Sequence, residues 1–291
     1  MALTPHQLMR LATVASTTVA LTLVGAKAVA WLVTDSVSML SSLVDTSLDL
    51  VGSLVTFFAV RQALVPPDAD HRFGHGKAEA LSGLVQAGFI AASGCALLVA
   101  VGERLNAPKQ VREEDVGLMI SGLALVLTFA LVTFQRYVVR RTGSVAISAD
   151  MAHYGTDLVA TLVTGIGLYV SGLFDQPIVD SGIAGLVALW LLRGAWTVGR
   201  DSFDILMDHE LPDEDRQKIK NIAQSISGVK DIHELRTRSG GMTRFIQLHI
   251  EVDRALSLLD AHEIGRQVQA GIAKAFPAAE IILHVDPSPV S

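Results

Sequence analysis

The sequence predicts an α-helical membrane protein with six transmembrane helices plus a C-terminal α+β domain in ferredoxin-like αββαβ order, and three observations carry that expectation. Half of the 291 residues are hydrophobic and only 18% are charged, with a positive mean hydropathy, which is too apolar for an ordinary soluble chain of this length. Six windows approach the length of roughly 20 apolar residues that a bilayer crossing requires, near residues 9–32, 37–60, 80–102, 116–135, 145–172 and 178–199. From about residue 204 the composition turns to mixed charge and ordinary alternation. Residues 1–203 therefore read as the transmembrane domain and 204–291 as a soluble one.

The first window outlasts the h-region of a signal peptide, roughly 7 to 15 residues, and reads as a retained helix. Val116 to Phe134 carries no charge at all. Asp180 sits near the start of the sixth helix, where it reads as a cap. The loops after the second helix (Arg61, Arg72, Lys77) and the fourth (Arg136, Arg140, Arg141) are basic, as is the chain leaving the sixth at Arg200. The first and fifth loops carry no Lys or Arg, although the third holds Arg104, Lys109 and Arg112. This balance places both termini in the cytoplasm of a multi-pass protein surrounded by membrane lipid. In the soluble part, Pro212 and the acidic Asp213, Glu214 and Asp215 open a helix to about Ser227. Strands follow near Asp231 to Arg238 and Thr243 to Val252, joined as a hairpin through Gly240 and Gly241. A helix from Ser257 to Phe276 and a strand from Glu280 to Val285 complete the order.

Several classes of function are excluded early. The single cysteine, Cys95, allows neither a disulfide framework nor a Cys-type zinc motif, so any metal chemistry must use His, Asp and Glu. A net charge of −6 offers no basic footprint for nucleic acid. The dipeptides His233-Glu234 and His262-Glu263 lack the second histidine of H-E-x-x-H. With no nucleophile elbow or Cys-His pair either, the chain does not read as an enzyme.

Four ionisable residues stand deep inside predicted spans: Asp45 and Asp49 on the second helix, His153 and Asp157 on the fifth. Each pair is spaced i, i+4, which stacks both side chains on one helix face. An Asp at mid-membrane costs about 2.5 to 3.5 kcal/mol, so three carboxylates cost on the order of 10 kcal/mol unless a dication or protons compensate. If the second helix enters from outside and the fifth from inside, a rise of 1.5 Å per residue puts Asp45 and His153 about 12 Å from their own faces and Asp49 and Asp157 about 18 Å in. In a core about 30 Å thick, Asp49 then faces His153 and Asp45 faces Asp157. One imidazole with three carboxylates suits a borderline dication such as Zn²⁺.

The histidines gather elsewhere too. The loop after the second helix collects Asp68, Asp70, His71 and His75 within eight positions. On the second strand, His249 shares the polar face with Gln247 and Glu251, while Ile246, Leu248 and Ile250 face the core. His233, His284 and Asp286 lie on its neighbours and His262 near the start of the second soluble helix, a set able to hold two ions bridged by Asp286. His6 and His209 belong to no cluster.

The pairs Asp45/Asp49 and His153/Asp157, the segment His71-Arg72-Phe73-Gly74-His75-Gly76-Lys77-Ala78-Glu79 and the strand Arg244-Phe245-Ile246-Gln247-Leu248-His249-Ile250 together resemble a bacterial cation diffusion facilitator of the zinc and ferrous-iron efflux, proton-antiport type. The resemblance covers nearly the whole chain. It implies an exporter in the inner membrane with a transport site at Asp45, Asp49, His153 and Asp157, a loop site at Asp68, His71 and His75, and a binuclear cytoplasmic site at His233, His249, His262, His284 and Asp286. It further implies a homodimer held through the cytoplasmic domains, and a Lys77–Asp208 pair near the membrane surface. Zn²⁺ is the expected cargo and regulator, with Fe²⁺ or Cd²⁺ as alternatives, exchanged for protons by alternating access. A membrane-anchored metal sensor is the rival of another class, but an anchor has no need of buried carboxylates.

Overall fold

The structure, a computed structural model, describes residues 3–35, 37–106, 115–174 and 177–289. Lys109 and Arg112 of the third loop fall outside those residues, as do the side chains of Arg104 and Asp180. The chain divides into two compact units, Met1–Val65 with Ala78–Phe203, and Pro66–Lys77 with Asp204–Ser291.

Six long helices dominate the first unit: α1 (Pro5–Thr34), α2 (Val37–Ala63), α3 (Ala78–Asn106), α4 (Asp115–Thr142), α5 (Val145–Phe174) and α6 (Pro177–Leu206). They overrun the apolar windows because polar residues continue a helix beyond the hydrocarbon. At the start of α1, Thr4 accepts from Gln7 N while the Gln7 side chain reaches back to the Thr4 N–H, a reciprocal cap with Pro5 behind it. At the end of α4, Arg140 and Arg141 occupy the last turn, where positive charge complements the helix dipole. Among the described residues, five of these helices are long and apolar enough to cross a membrane. Their outer surface is apolar: Leu32, Val33, Phe58, Val126, Leu186 and Trp196 are all exposed. That pattern is stable only where the solvent is itself hydrocarbon. Inside, α1 packs on α2 and α4, and α5 on α3 and α4, while Ile90 of α3 meets Leu191 and Ala195 of α6.

The second unit holds α7 (Asp213–Gln224), β1 (Asp231–Gly240), β2 (Thr243–Val252), α8 (Leu258–Ala275) and β3 (Ala279–Pro287). The sheet order is β1-β2-β3, with β1 antiparallel and β3 parallel to β2. Parallel neighbours need a crossover, and α8 supplies it. Ser257 caps α8 by accepting from Asp260 N at 3.1 Å. Ile246, Leu248, Ile250 and Val252 of β2 pack with Ile219 of α7 and Val268, Ile272 and Phe276 of α8. The helices therefore cover one face, and alternation turns Gln247, His249 and Glu251 to the other.

Candidate metal sites

In the first unit, α2 and α5 bring Asp49, His153 and Asp157 together, with one ligand atom of each lying within 4.8 Å of the others. His153 Nε2 faces Asp49 Oδ1 at 3.2 Å and Asp157 Oδ2 at 3.6 Å. The i, i+4 spacing on α5 stacks the imidazole over the carboxylate, and α2 supplies Asp49 from across the interface. His153 Nδ1 and Asp157 Oδ2 are buried without a hydrogen-bond partner among the described residues. Such orphans are expensive in a dry interior, and they suit groups kept open for a ligand. Asp45, one turn before Asp49, is exposed and stands outside this cluster.

A second polar constellation lies beside the first. Asp150 of α5 is fully enclosed and accepts from Ser16 Oγ of α1 at 2.7 Å, Gln86 Nε2 of α3 at 3.0 Å and Gln135 Nε2 of α4 at 2.6 Å. Ser53 Oγ of α2 bonds both Ser16 Oγ at 2.9 Å and the Tyr154 hydroxyl at 2.7 Å. Three helices are thus bonded directly to one carboxylate on α5, a turn from His153, and α2 joins them through Ser16. Glu79 of α3 does similar work at the start of α5, accepting from Ser144 Oγ and Ala146 N. Lys27 of α1 donates to Thr46 Oγ1 on α2. Sequence reasoning missed all three. A search for paired ligands passes over solitary charges, whereas a search for any charge inside an apolar window finds Lys27 and Asp150.

In the second unit, the Pro66–Lys77 segment gathers Asp68, His71 and His75. Asp68 Oδ1 accepts from the backbone N–H groups of His71 at 2.6 Å and Asp70 at 3.0 Å. His71 Nδ1 and His75 Nε2 each lie 3.4 Å from an Asp68 oxygen. Chiefly the His71 N–H holds the Asp68 carboxyl below its usual range. Asp70 is exposed and stands outside the cluster.

The open face of the sheet carries the largest histidine group. His249 is paired in register with His233 on β1 and with His284 on β3, so three imidazoles form one row across the sheet. A β-bulge between His233 and Arg236, with Glu234 at φ 48°, re-aims β1 there. Asp286 sits above the row: its Oδ2 lies 2.9 Å from His249 Nδ1 and 3.3 Å from His233 Nε2, and its Oδ1 lies 3.0 Å from His284 Nε2. The His249 hydrogen bond leads in holding the Asp286 carboxyl below its usual range. A carboxylate using both oxygens on different imidazoles is disposed to bridge two ions. His262, exposed on α8, is not part of this cluster. Glu251, which faces His233 Nδ1 at 3.7 Å, is an acid the sequence reading left out of the site.

Lys77 Nζ reaches Asp208 Oδ1 at 2.9 Å, and Arg238 joins the same carboxylate at 3.2 Å. Partial burial pushes the Asp208 carboxyl up, but the hydrogen bonds from Lys77 and Arg238 outweigh it and hold the group below its usual range. A depressed carboxylate contributes stability that is present above its unfolded value, about 3.9, and is lost as pH falls through the folded value. Thermal scans of the detergent-solubilised protein are expected to show a full and pH-independent contribution from this group between pH 5 and 8 and its loss below about pH 4. Asp208→Asn removes that acid component; an unchanged profile would place it elsewhere. Gly76 packs so tightly against Gly240 and Gly241 that a Cβ there would collide with the Gly240 carbonyl oxygen.

Six long helices with an apolar exterior and a buried His-carboxylate cluster define a multi-pass membrane protein built to pass a cation. Residues 13–207 match the cation efflux transmembrane domain and residues 211–288 the cation efflux protein cytoplasmic domain, and the chain belongs to the cation efflux family. It is 41% identical over 284 residues to a protein named cation-efflux pump FieF from Serratia proteamaculans, covering 98% of this chain and 94% of that one. A protein of the same name from Klebsiella pneumoniae is 41% identical over 281 residues, covering 96% and 93%. A nickel form of the MamM CTD is 24% identical with a TM-score of 0.26, covering 27% of this chain and 100% of that one. The protein is a membrane transporter of metal cations and not an enzyme.

Proposed function

We propose that the protein exports Zn²⁺ across the bacterial inner membrane in exchange for protons, by alternating access around Asp45, Asp49, His153 and Asp157. The observation that carries this reading is the mid-helix cluster of Asp49, His153 and Asp157, with His153 Nδ1 and Asp157 Oδ2 lacking a hydrogen-bond partner among the described residues. An imidazole with carboxylates, and no thiolate, suits a borderline dication. Cytosolic metal displaces protons from these groups, the helices rock, and external protons displace the metal, because both compete for the same lone pairs.

The protein acts as a homodimer with both termini in the cytoplasm, the 1–203 portion serving transport and the 204–291 portion sensing metal. The row of His233, His249 and His284 with Asp286 fits resident zinc chemically, since three neutral imidazoles and a two-sided carboxylate match its preferred donors. We assign His262 to the same set as a further ligand, although it stands outside the row here, and Asp68, His71 and His75 form an accessory loop site. Metal on the cytoplasmic site selects one state of the dimer. His249→Ala is therefore expected to raise the metal concentration needed for activation while leaving maximal flux within about twofold, and unchanged metal dependence would count against the sensing role.

The deciding experiment is metal uptake into proteoliposomes under an imposed pH gradient, comparing Zn²⁺, Cd²⁺, Fe²⁺ and Mn²⁺ for the native protein and Asp49→Ala. Gradient-driven Zn²⁺ flux that vanishes in the variant is expected. Metal binding without flux of any ion would sink the antiporter reading, and preferred flux of Fe²⁺ or Cd²⁺ would reassign the cargo.

A further inference from the structure

Lys27 is a charged side chain inside an apolar helix, about two turns before the α1 terminus at Thr34, and it does not extend outward as a lysine near a helix end usually does. Its Nζ donates to Thr46 Oγ1 at 2.5 Å and to the Ser42 carbonyl oxygen at 3.4 Å. Ser42 and Thr46 share the α2 face with Asp45 and Asp49, so the ammonium is fixed against the stripe that carries the carboxylates. With Asp157, Ser121 and Thr128 it lines a cavity of about 190 Å³ among α1, α2, α4 and α5.

Charge counting gives this placement a purpose. Three carboxylates, Asp45, Asp49 and Asp157, carry three negative charges when ionised. A bound dication leaves one uncompensated, and a net charge is costly to move through a low-dielectric interior. One fixed ammonium removes it. We propose that Lys27 is a tethered counter-cation of the transport site, matching its charge to a divalent cargo so that the loaded site reorients as a neutral unit. The inference rests on the preceding reading that these carboxylates carry the metal. The same ammonium repels the dication, so Lys27 trades affinity for turnover. A purely structural lysine would support both or neither.

Zn²⁺ uptake into proteoliposomes, measured over a range of Zn²⁺ concentrations under a fixed pH gradient, separates these roles. Lys27→Gln keeps a donor for Thr46 but loses the charge. It is expected to lower the half-saturating Zn²⁺ concentration roughly tenfold, while the maximal rate also falls about tenfold or more. Lys27→Arg keeps the charge and is expected to hold both parameters within about threefold of native. A half-saturating concentration in Lys27→Gln that stays unchanged or rises overturns the inference, as does an arginine variant as impaired as the glutamine one. A native protein that moves no Zn²⁺, or Asp49→Ala that moves it normally, instead removes the underlying transport reading and this inference with it.

Discussion

Asp157→Ala is expected to abolish gradient-driven metal uptake, lowering it by at least about 100-fold, while the protein stays as thermally stable as the native form or becomes more so. The functional half follows from geometry: Asp157 is one of three residues whose ligand atoms converge. Loss of even an outer partner of a metal ligand typically costs about 10- to 100-fold, and a direct ligand should cost more. The stability half follows from solvation. A carboxylate at mid-membrane costs about 2.5 to 3.5 kcal/mol, and Asp157 Oδ2 has no hydrogen-bond partner among the described residues to offset it. Uptake rates and thermal midpoints of the same preparation test both halves. Retained flux sinks the site assignment, and a large fall in midpoint shows that Asp157 serves packing. Asp45→Ala, outside the converging set, should impair uptake less.

Asp150→Ala is expected to do the opposite and destabilise the helical unit itself. The substitution strips the shared acceptor from Ser16, Gln86 and Gln135, which reach it from α1, α3 and α4. Side-chain hydrogen bonds in membrane proteins average about 0.6 kcal/mol because the unfolded reference also finds partners in the membrane, so three of them account for roughly 2 kcal/mol. A buried donor left with no acceptor costs about 1 to 3 kcal/mol, which raises the expected loss to about 3 to 5 kcal/mol. Asp150→Asn keeps one carbonyl acceptor and should lose less than half as much. The thermal midpoints of the two variants in detergent decide the matter. Equal midpoints for native and Asp150→Ala would mean that the network contributes nothing to stability.

Much of this was readable from one dimension, and the reason is period. An apolar run of bilayer length has one stable fate, so the helices were visible by hydropathy alone. Their ends were not, because Thr4 and Gln7 cap α1 and Arg140 and Arg141 extend α4 through local interactions that hydropathy does not weigh. The pairs Asp45/Asp49 and His153/Asp157 were visible because a helix repeats every 3.6 residues. Likewise, strand alternation exposed His249 with Gln247 and Glu251 while hiding Ile246, Leu248 and Ile250.

The sequence by itself determined which faces of which elements bear metal-binding groups, since that depends on spacing within one helix or strand. Only the tertiary structure decided which faces meet. Depth arithmetic set Asp45 opposite Asp157, whereas α2 brings Asp49 to both His153 and Asp157, because rise per residue says nothing about the rotation of one helix against another. His233, His249 and His284 form a row because strand register and the bulge at Glu234 align them. Asp150 and Lys27 have partners on other helices, from 15 to 134 positions away for Asp150 and 15 or 19 for Lys27. Such pairings arise from packing, where a solitary charge must find a partner to be buried at all.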